Sequence, residues 1–402
     1  MGADRFGVDV IGDVAGLRAW DDAFGQLLEY RGDPLTTLAE ANADDDGFAL
    51  GPAFCAAYRL LGGVDPTSPD ITTDVARAAA RAVDARGRAA ADAVALMAEG
   101  HWAQAADRLD AHTAAAPRDL FAIKLAHDLR LHNGGLARHL HRAHEAMVGW
   151  VPGEPGYGYV AGMLCFALEE SGDDAEARRW GEIALAAEPG DAWARHAMAH
   201  VYESLGDHEG FTAVLVDAGE HWHERPLFAN HLWWNAALRA WHHGDVERAF
   251  EIVDAQLTST TAFGLCDTTA LVWRADLAGH AVGERWVALA DAWSAVVDVH
   301  HSAFVDVHAA VVAATVGGAF ADDFWHGLAV RTSTTPASEN DRTFTEVVRP
   351  FGDLVRSWRA GGAHRLGRDA HDALADKLWH VGGSVVQRQV MHDTLHAIGA
   401  AP

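Results

Sequence analysis

Lysine is almost missing from this chain. Only Lys124 and Lys377 occur among 31 basic residues, against 57 acidic ones, for a formal net charge of −26. Such a surface repels phosphate backbones and anionic lipid, so nucleic acid and membrane are not expected as partners. Cysteine is scarce too. Cys55, Cys165 and Cys266 lie far apart in apolar contexts with no Cys-x-x-Cys spacing, and they read as small core residues. No apolar run approaches the ~20 residues of a membrane span. The start, Met1-Gly2-Ala3-Asp4-Arg5, lacks the cationic-then-apolar pattern of a secretory signal, so a cytoplasmic location is the expectation. There is no Gly-x-Ser-x-Gly elbow, and Gly382-Gly383-Ser384 lacks the further glycines and the lysine of a phosphate loop. The run Asp44-Asp45-Asp46 lacks the other positions of a calcium loop and reads as a solvated turn.

What is present is helical periodicity. Segments 76–99, 101–115, 119–132, 137–149, 158–171, 174–187, 191–205, 208–222, 228–242 and 245–257 each read as an amphipathic helix bounded by Gly, Pro, Asp or Ser. Gly172 and Gly206 stand 34 residues apart, each between two such helices, and Pro189-Gly190-Asp191 follows the second helix of the pair. This is tetratricopeptide punctuation, two antiparallel helices per unit with Gly at the tight turn and Pro ending the second helix. Gly244-Asp245 comes 38 residues after Gly206, so the repeat is irregular. Further helices are expected at 266–280, 283–297, 301–316, 322–331, 344–358 and 366–398, with a loop at 332–341. The expected architecture is all-α: a helical-repeat solenoid over 76–331, an N-terminal helical cap over 1–75 and closing helices over 342–402.

Several segments are more specific than a repeat consensus. They are Asp119-Leu120-Phe121-Ala122-Ile123-Lys124-Leu125-Ala126-His127-Asp128, Asp191-Ala192-Trp193-Ala194-Arg195-His196-Ala197-Met198-Ala199-His200-Val201-Tyr202-Glu203, His231-Leu232-Trp233-Trp234-Asn235 and Gly382-Gly383-Ser384-Val385-Val386-Gln387-Arg388-Gln389. In these the chain resembles the tetratricopeptide repeat protein 38 family, over about residues 30–395. The resemblance implies a helical-repeat fold and carries no single activity with it. Three positions depart from it: family members usually have Asn at Leu232, often His at Asn235, and usually Asp at Gln389.

The histidines raise the question of function. His196 and His200 stand i, i+4 on one helical face, with Glu203 a turn further on. Three readings fit them: a shared metal, a metal-free polar site, or packing histidines bonded to carbonyls. No Glu follows His196, so this is not the metalloprotease motif, and neither metal nor cofactor is expected. His231 and Asn235 share the next such face, with Trp234 beside them, which suits either a ligand pocket or interhelical packing. Asp267 and Arg274 lie on an otherwise apolar helix, either as an internal salt bridge or with Asp267 holding an imidazole. His308 and Asp306 come from His-Ser-Ala-Phe-Val-Asp-Val-His at 301–308, and His127, Gln387 and Arg388 complete the candidates.

Two functions follow. In the first, His196, His200, His231, Asp267 and His308 perform acid/base chemistry of hydrolase or lyase type on a small organic substrate, which His127, Trp234, Asn235, Arg274, Asp306, Gln387 and Arg388 bind. In the second, the groove is a scaffold for a peptide or protein partner. An enclosed pocket lined by His196, His200, His231 and His308 favours the enzyme, an open groove the scaffold. His200, as a cavity-lining group, is expected to contribute little to stability. A homodimer is compatible with either function.

Overall fold

The computed structural model describes residues 2–44, 47–216, 219–226, 228–296, 300–361 and 368–400. Asp45 and Asp46 of the acidic run lie outside them. The fold is all-α. Among the described residues the only strands are β1 (Gly2–Ala3) and β2 (Asp9–Val10), a two-residue antiparallel ladder too short to leave an alternating signature. No helix is long and apolar enough to cross a membrane among the described residues. The chain divides into two compact units, Met1–Arg130 with Gly135–Leu232, and Leu131–Gly134 with Trp233–Pro402. The division falls inside the 76–331 segment, and residues 1–75 group with the helices that follow them.

The first unit begins with α1 (Val14–Leu28), α2 (Pro34–Asp44), α3 (Leu50–Leu61), α4 (Pro69–Arg81), α5 (Ala85–Ala98) and α6 (Trp102–Thr113). It continues with α7 (Leu120–His132), α8 (Leu136–Met147), α9 (Tyr157–Glu169), α10 (Asp174–Ala187), α11 (Ala192–Ser204) and α12 (His208–Phe211). The chain then widens into a π turn at Thr212–Val216 and tightens into a 3-10 turn at Gly219–Glu224 before α13 (Ala229–His242), so the helix expected over 208–222 is broken. A Gly-Asp pair explains the repeated punctuation. Gly172 and Gly206 take φ of 79° and 68°, which only glycine adopts without strain. Asp173 and Asp207 then cap α10 and α12 by accepting from Glu176 N and Gly210 N at 3.3 and 2.9 Å. Helix α9 packs on α8, α10 and α11. The apolar core at the other end is aromatic, with the Trp20 ring 5.1 Å from that of Phe121 and 5.5 Å from that of Phe24. A buried ion network ties the terminal ladder down: Arg86 Nε and Nη2 reach Asp119 at 3.0 and 3.1 Å, and Nη1 reaches Asp4 at 2.9 Å.

The second unit holds α14 (Val246–Gln256), α15 (Ala262–Leu277), α16 (Arg285–Trp293), α17 (Ala303–Val316) and α18 (Gly318–Arg331). Then come α19 (Glu339–Thr343), α20 (Arg349–Arg359), α21 (Arg368–Ala375) and α22 (Val385–Ala400). Helix α17 is buried on every side from Ala303 to Ala313 and packs against α15, α16, α18 and α20. Apart from Asp306 and His308 that stretch is apolar all round, as suits such a place. The loop expected at 332–341 ends early, because Ser338 and Asp341 form a reciprocal capping box that starts α19. The helical stretch expected over 366–398 divides into α21 and α22, with the Gly382-Gly383 turn between them. Gly382 and Gly383 take φ of 87° and 80°, and Gly383 N donates to the Leu131 carbonyl at 2.9 Å, which holds that reversal in place.

Candidate functional site

The first unit gathers polar groups around an aromatic wall. Helix α11 starts at Asp191, whose buried carboxylate accepts from Ala194 N at 3.0 Å. One turn on, it presents His196 and then His200. The two rings lie 4.4 Å apart, and His231 of α13 faces His196, Nε2 to Nε2, at 3.1 Å. His196, His200 and His231 therefore converge. His200 Nδ1 is 3.3 Å from Oε1 of Glu169, the last residue of α9, in the pairing that fixes a histidine's tautomer and orientation. Trp193, Phe166 and Phe228 wall the cluster, with ring centroids 5.1, 6.1 and 5.4 Å from that of His196. Burial, and then the neighbouring His200 and His231, hold the His196 pKa well below its usual value, so it is neutral. Its Nδ1 is buried without a hydrogen-bond partner. A bare acceptor costs less there than a stranded N–H, so His196 donates from Nε2 to His231. Glu169, Glu170 and His200 also bring three ligand atoms within 4.8 Å of one another, a set that one cation can reach.

A second layer lies behind Trp193. Lys124 is 2% exposed and donates to both Asp128 oxygens at 2.5 and 2.6 Å and to the Tyr30 hydroxyl at 3.3 Å. The Tyr58 hydroxyl donates to Asp128 at 3.2 Å, and the Lys124 ammonium lies 5.6 Å from the Trp193 ring. Despite burial, the Asp128 carboxylate holds the Lys124 pKa above its usual value, so the ammonium stays charged. His127 does not enter the His196 cluster. Its Nδ1 pairs with Nε2 of His139 at 2.6 Å, and both rings border a cavity of about 290 Å³.

The remaining candidates belong to the second unit. His308 Nδ1 donates to the Phe304 carbonyl at 2.8 Å, leaving Nε2 as an acceptor, and burial lowers its pKa to about 4. Arg274 donates to the carbonyls of Ala270 and Val386 at 3.0 and 2.7 Å, and its guanidinium lies 5.7 Å from the buried Trp234 ring. It makes no salt bridge with Asp267 among the described residues. Burial lowers its pKa to about 10. Asp267 and Asn235 are buried, at 6% and 5% exposure. Asp306 pairs with His300 rather than with His308. Gln387 is occupied by a cap: its side chain accepts from Ser384 N at 2.8 Å while its own N–H donates to Ser384 Oγ at 3.2 Å. The Arg388 guanidinium donates to the Gly383 carbonyl.

Glu169, His139 and His300 carry much of this geometry and were not singled out from sequence, and Lys124 was noted there as a rare lysine and not as a site residue. Glu169 ends α9 with no motif around it, and its tie to His200 spans 31 residues. No family model matches the chain, and no solved structure matches it.

Proposed function

We propose that this chain is a tetratricopeptide-like helical-repeat protein, akin to the tetratricopeptide repeat protein 38 family, that binds a small organic molecule and performs acid/base chemistry on it at the first unit's histidine cluster. The observation that carries the reading is the Glu169–His200 pair beside the facing imidazoles of His196 and His231. Glu169 accepts the Nδ1 proton of His200, which makes Nε2 the basic nitrogen and stabilises the imidazolium formed when it takes a proton. His196, neutral and donating from Nε2, keeps the His231 ring in register. The aromatic wall supplies burial for an apolar substrate body. Activation of water in a hydrolase and removal of a carbon-bound proton in a lyase both fit these groups.

A second reading, metal-assisted chemistry, is favoured by the ligand atoms of Glu169, Glu170 and His200 lying within 4.8 Å of one another. The test begins with native mass spectrometry of purified protein, to identify a retained organic molecule, together with metal analysis. Turnover of that molecule and its close analogues is then compared in wild type, His200→Ala and Glu169→Gln. Loss of turnover in both variants supports the dyad. Loss on chelation, restored by one metal, moves the chemistry to the metal. Unchanged turnover in both variants, or retention of peptides and no small molecule, overturns the reading and leaves a peptide scaffold.

A further inference from the structure

Two arginines near the start of α11 have no part in that reading. Arg195 and Arg225 belong to the first unit, and both are half-buried. Arg195 is the one residue of 191–200 that is not buried. Its Nη2 donates to the Pro189 carbonyl at 3.0 Å. Arg225 donates from Nη1 to the next carbonyl, that of Gly190, at 2.8 Å and to that of Glu29 at 2.5 Å. Consecutive carbonyls therefore hold the two guanidiniums side by side.

Like charges so placed repel. Burial, and then the charge of Arg225, lower the Arg195 pKa, against a weaker pull from Asp191. Elsewhere the buried Arg86 and the half-buried Arg331 meet Asp119 and Asp341. Arg195 and Arg225 pair with no carboxylate among the described residues. The acidic groups around them are engaged otherwise. Glu29 takes Arg31 at 2.6 Å, and the guanidinium acting on Glu188 is that of Arg5. Glu224 is exposed and pairs with neither arginine. Asp191 is buried and spends its carboxylate on capping α11. Two guanidinium charges therefore meet one carboxylate, which leaves one positive charge over. The partial positive charge of the α11 N-terminus adds to it. Only Nη2 of Arg195 and Nη1 of Arg225 are committed to carbonyls, so each fork keeps N–H groups to donate. An apolar surface adjoins them. The Arg225 carbonyl accepts from Phe228 N at 3.0 Å, and the Phe228 ring lies 4.4 Å from Tyr30 and 5.4 and 5.3 Å from His196 and His231.

We propose that Arg195 and Arg225 bind the phosphate of a small phosphate ester, whose apolar body lies on Tyr30 and Phe228. One planar fork satisfies the two oxygens of a carboxylate, whereas two forks side by side suit the three terminal oxygens of a phosphate. The ester's role as substrate rests on the reading of the histidine cluster; its binding does not. The test is isothermal titration of the full-length protein with phenyl phosphate, inorganic phosphate and benzoate, repeated on Arg195→Gln and Arg225→Gln. A chain of net charge −26 repels anions over most of its surface, so saturable binding reports a local site. Saturable binding of phenyl phosphate, weaker binding of the other two, and a loss of about tenfold or more in each variant are expected, which is the size of one charge-assisted hydrogen bond. Arg225 also ties down two backbone carbonyls, so the helical signal at 222 nm checks the fold of its variant, and Arg195→Gln decides if that variant unfolds. No binding of phenyl phosphate to wild type, equally tight binding of benzoate or inorganic phosphate, or undiminished affinity in Arg195→Gln overturns the assignment. The histidine cluster is judged by turnover in His200→Ala and Glu169→Gln and this site by phosphate affinity, so either can fail alone.

Discussion

A histidine that faces open space and one that is packed in place differ in what truncation costs. His200 is 7% exposed, set edge-to-face with His196 and bonded to Glu169, so it is packed. Its replacement by Ala is expected to cost about 1–3 kcal/mol, since Glu169 loses its partner and a void opens. The small cost expected for a cavity-lining group does not apply. Glu169→Gln is the cleaner probe: it keeps the volume, removes the charge that favours the imidazolium, and should lower turnover while leaving the urea midpoint nearly in place. Lys124 is a structural counterpart. Lys124→Met leaves Asp128 buried with only the Tyr58 hydroxyl, and a loss of about 3–5 kcal/mol in urea unfolding is expected. A loss below 1 kcal/mol would show that Asp128 takes up a proton at no cost. These residues also mark how far the site was legible. His196, His200 and His231 were named together because helical spacing puts the first two on one face, and in the structure α13 brings the third alongside. Glu169 and His139 were not named, because each owes its role to a contact across elements that no local pattern encodes; His300 was overlooked although its partner Asp306 lies only six residues on. Gln387 was misread for the opposite reason: a polar residue three positions after Ser384 is a cap signature, and that local role claims its side chain.

Whole helices were more legible than their junctions. The glycine-aspartate pairs located the starts of α10, α12 and α14, because one residue supplies a positive φ and the next a capping carboxylate. The stretch 76–99 was read as one helix, but Asp84 accepts from Gly87 N at 2.7 Å and starts α5 anew after α4 ends at Arg81. Periodicity ran through that break because Ala, favourable in helices, fills both sides of it. Capping and burial conflict at Asp191. Its carboxylate caps α11, yet burial raises its pKa to about 7, against weaker lowering by the Ala194 N–H and Lys124. With the folded pKa above the unfolded one, the stability this group contributes is complete below about pH 4 and is lost as pH rises through about 7. Asp191→Asn keeps the cap and removes the charge. It should raise Tm at pH 8 and leave it little changed at pH 5. An equal shift at both pH values would show that the cap, not the buried charge, controls this helix.

At the scale of the whole chain, the acid response is decided by opposing terms. Acidification relieves the self-repulsion of a surface with net charge −26 and neutralises Asp191, and both effects favour folding. Against them stand His127, His139, His196 and His308, all fully buried and all with pKa values lowered by burial, to about 3 for His139 and about 4 for His308. A folded pKa below the unfolded one gives stability that is present above about pH 6.5 and is lost as pH falls through the folded value. Each such group contributes up to about 1.4 kcal/mol per pH unit in that window. Four such imidazoles stand against the carboxylates that burial raises, Asp191 to about 7 and, by less, Asp74, Asp110, Asp128 and Asp306, and at physiological salt the surface repulsion is largely screened over distances beyond about 8 Å. By pH 5 the combined loss is of the same order as the 5–15 kcal/mol stability of an ordinary domain. The helical signal at 222 nm should therefore collapse between about pH 6 and 4.5 at 0.15 M salt, and His139→Gln should make that collapse less steep in pH. Three of the four histidines belong to the first unit, so its tryptophans, Trp20 and Trp193 among them, should report unfolding before those of the second. Full helicity at pH 4 would mean that these imidazoles find acceptors on protonation, and it would remove the basis for treating the His127–His139 pair as neutral.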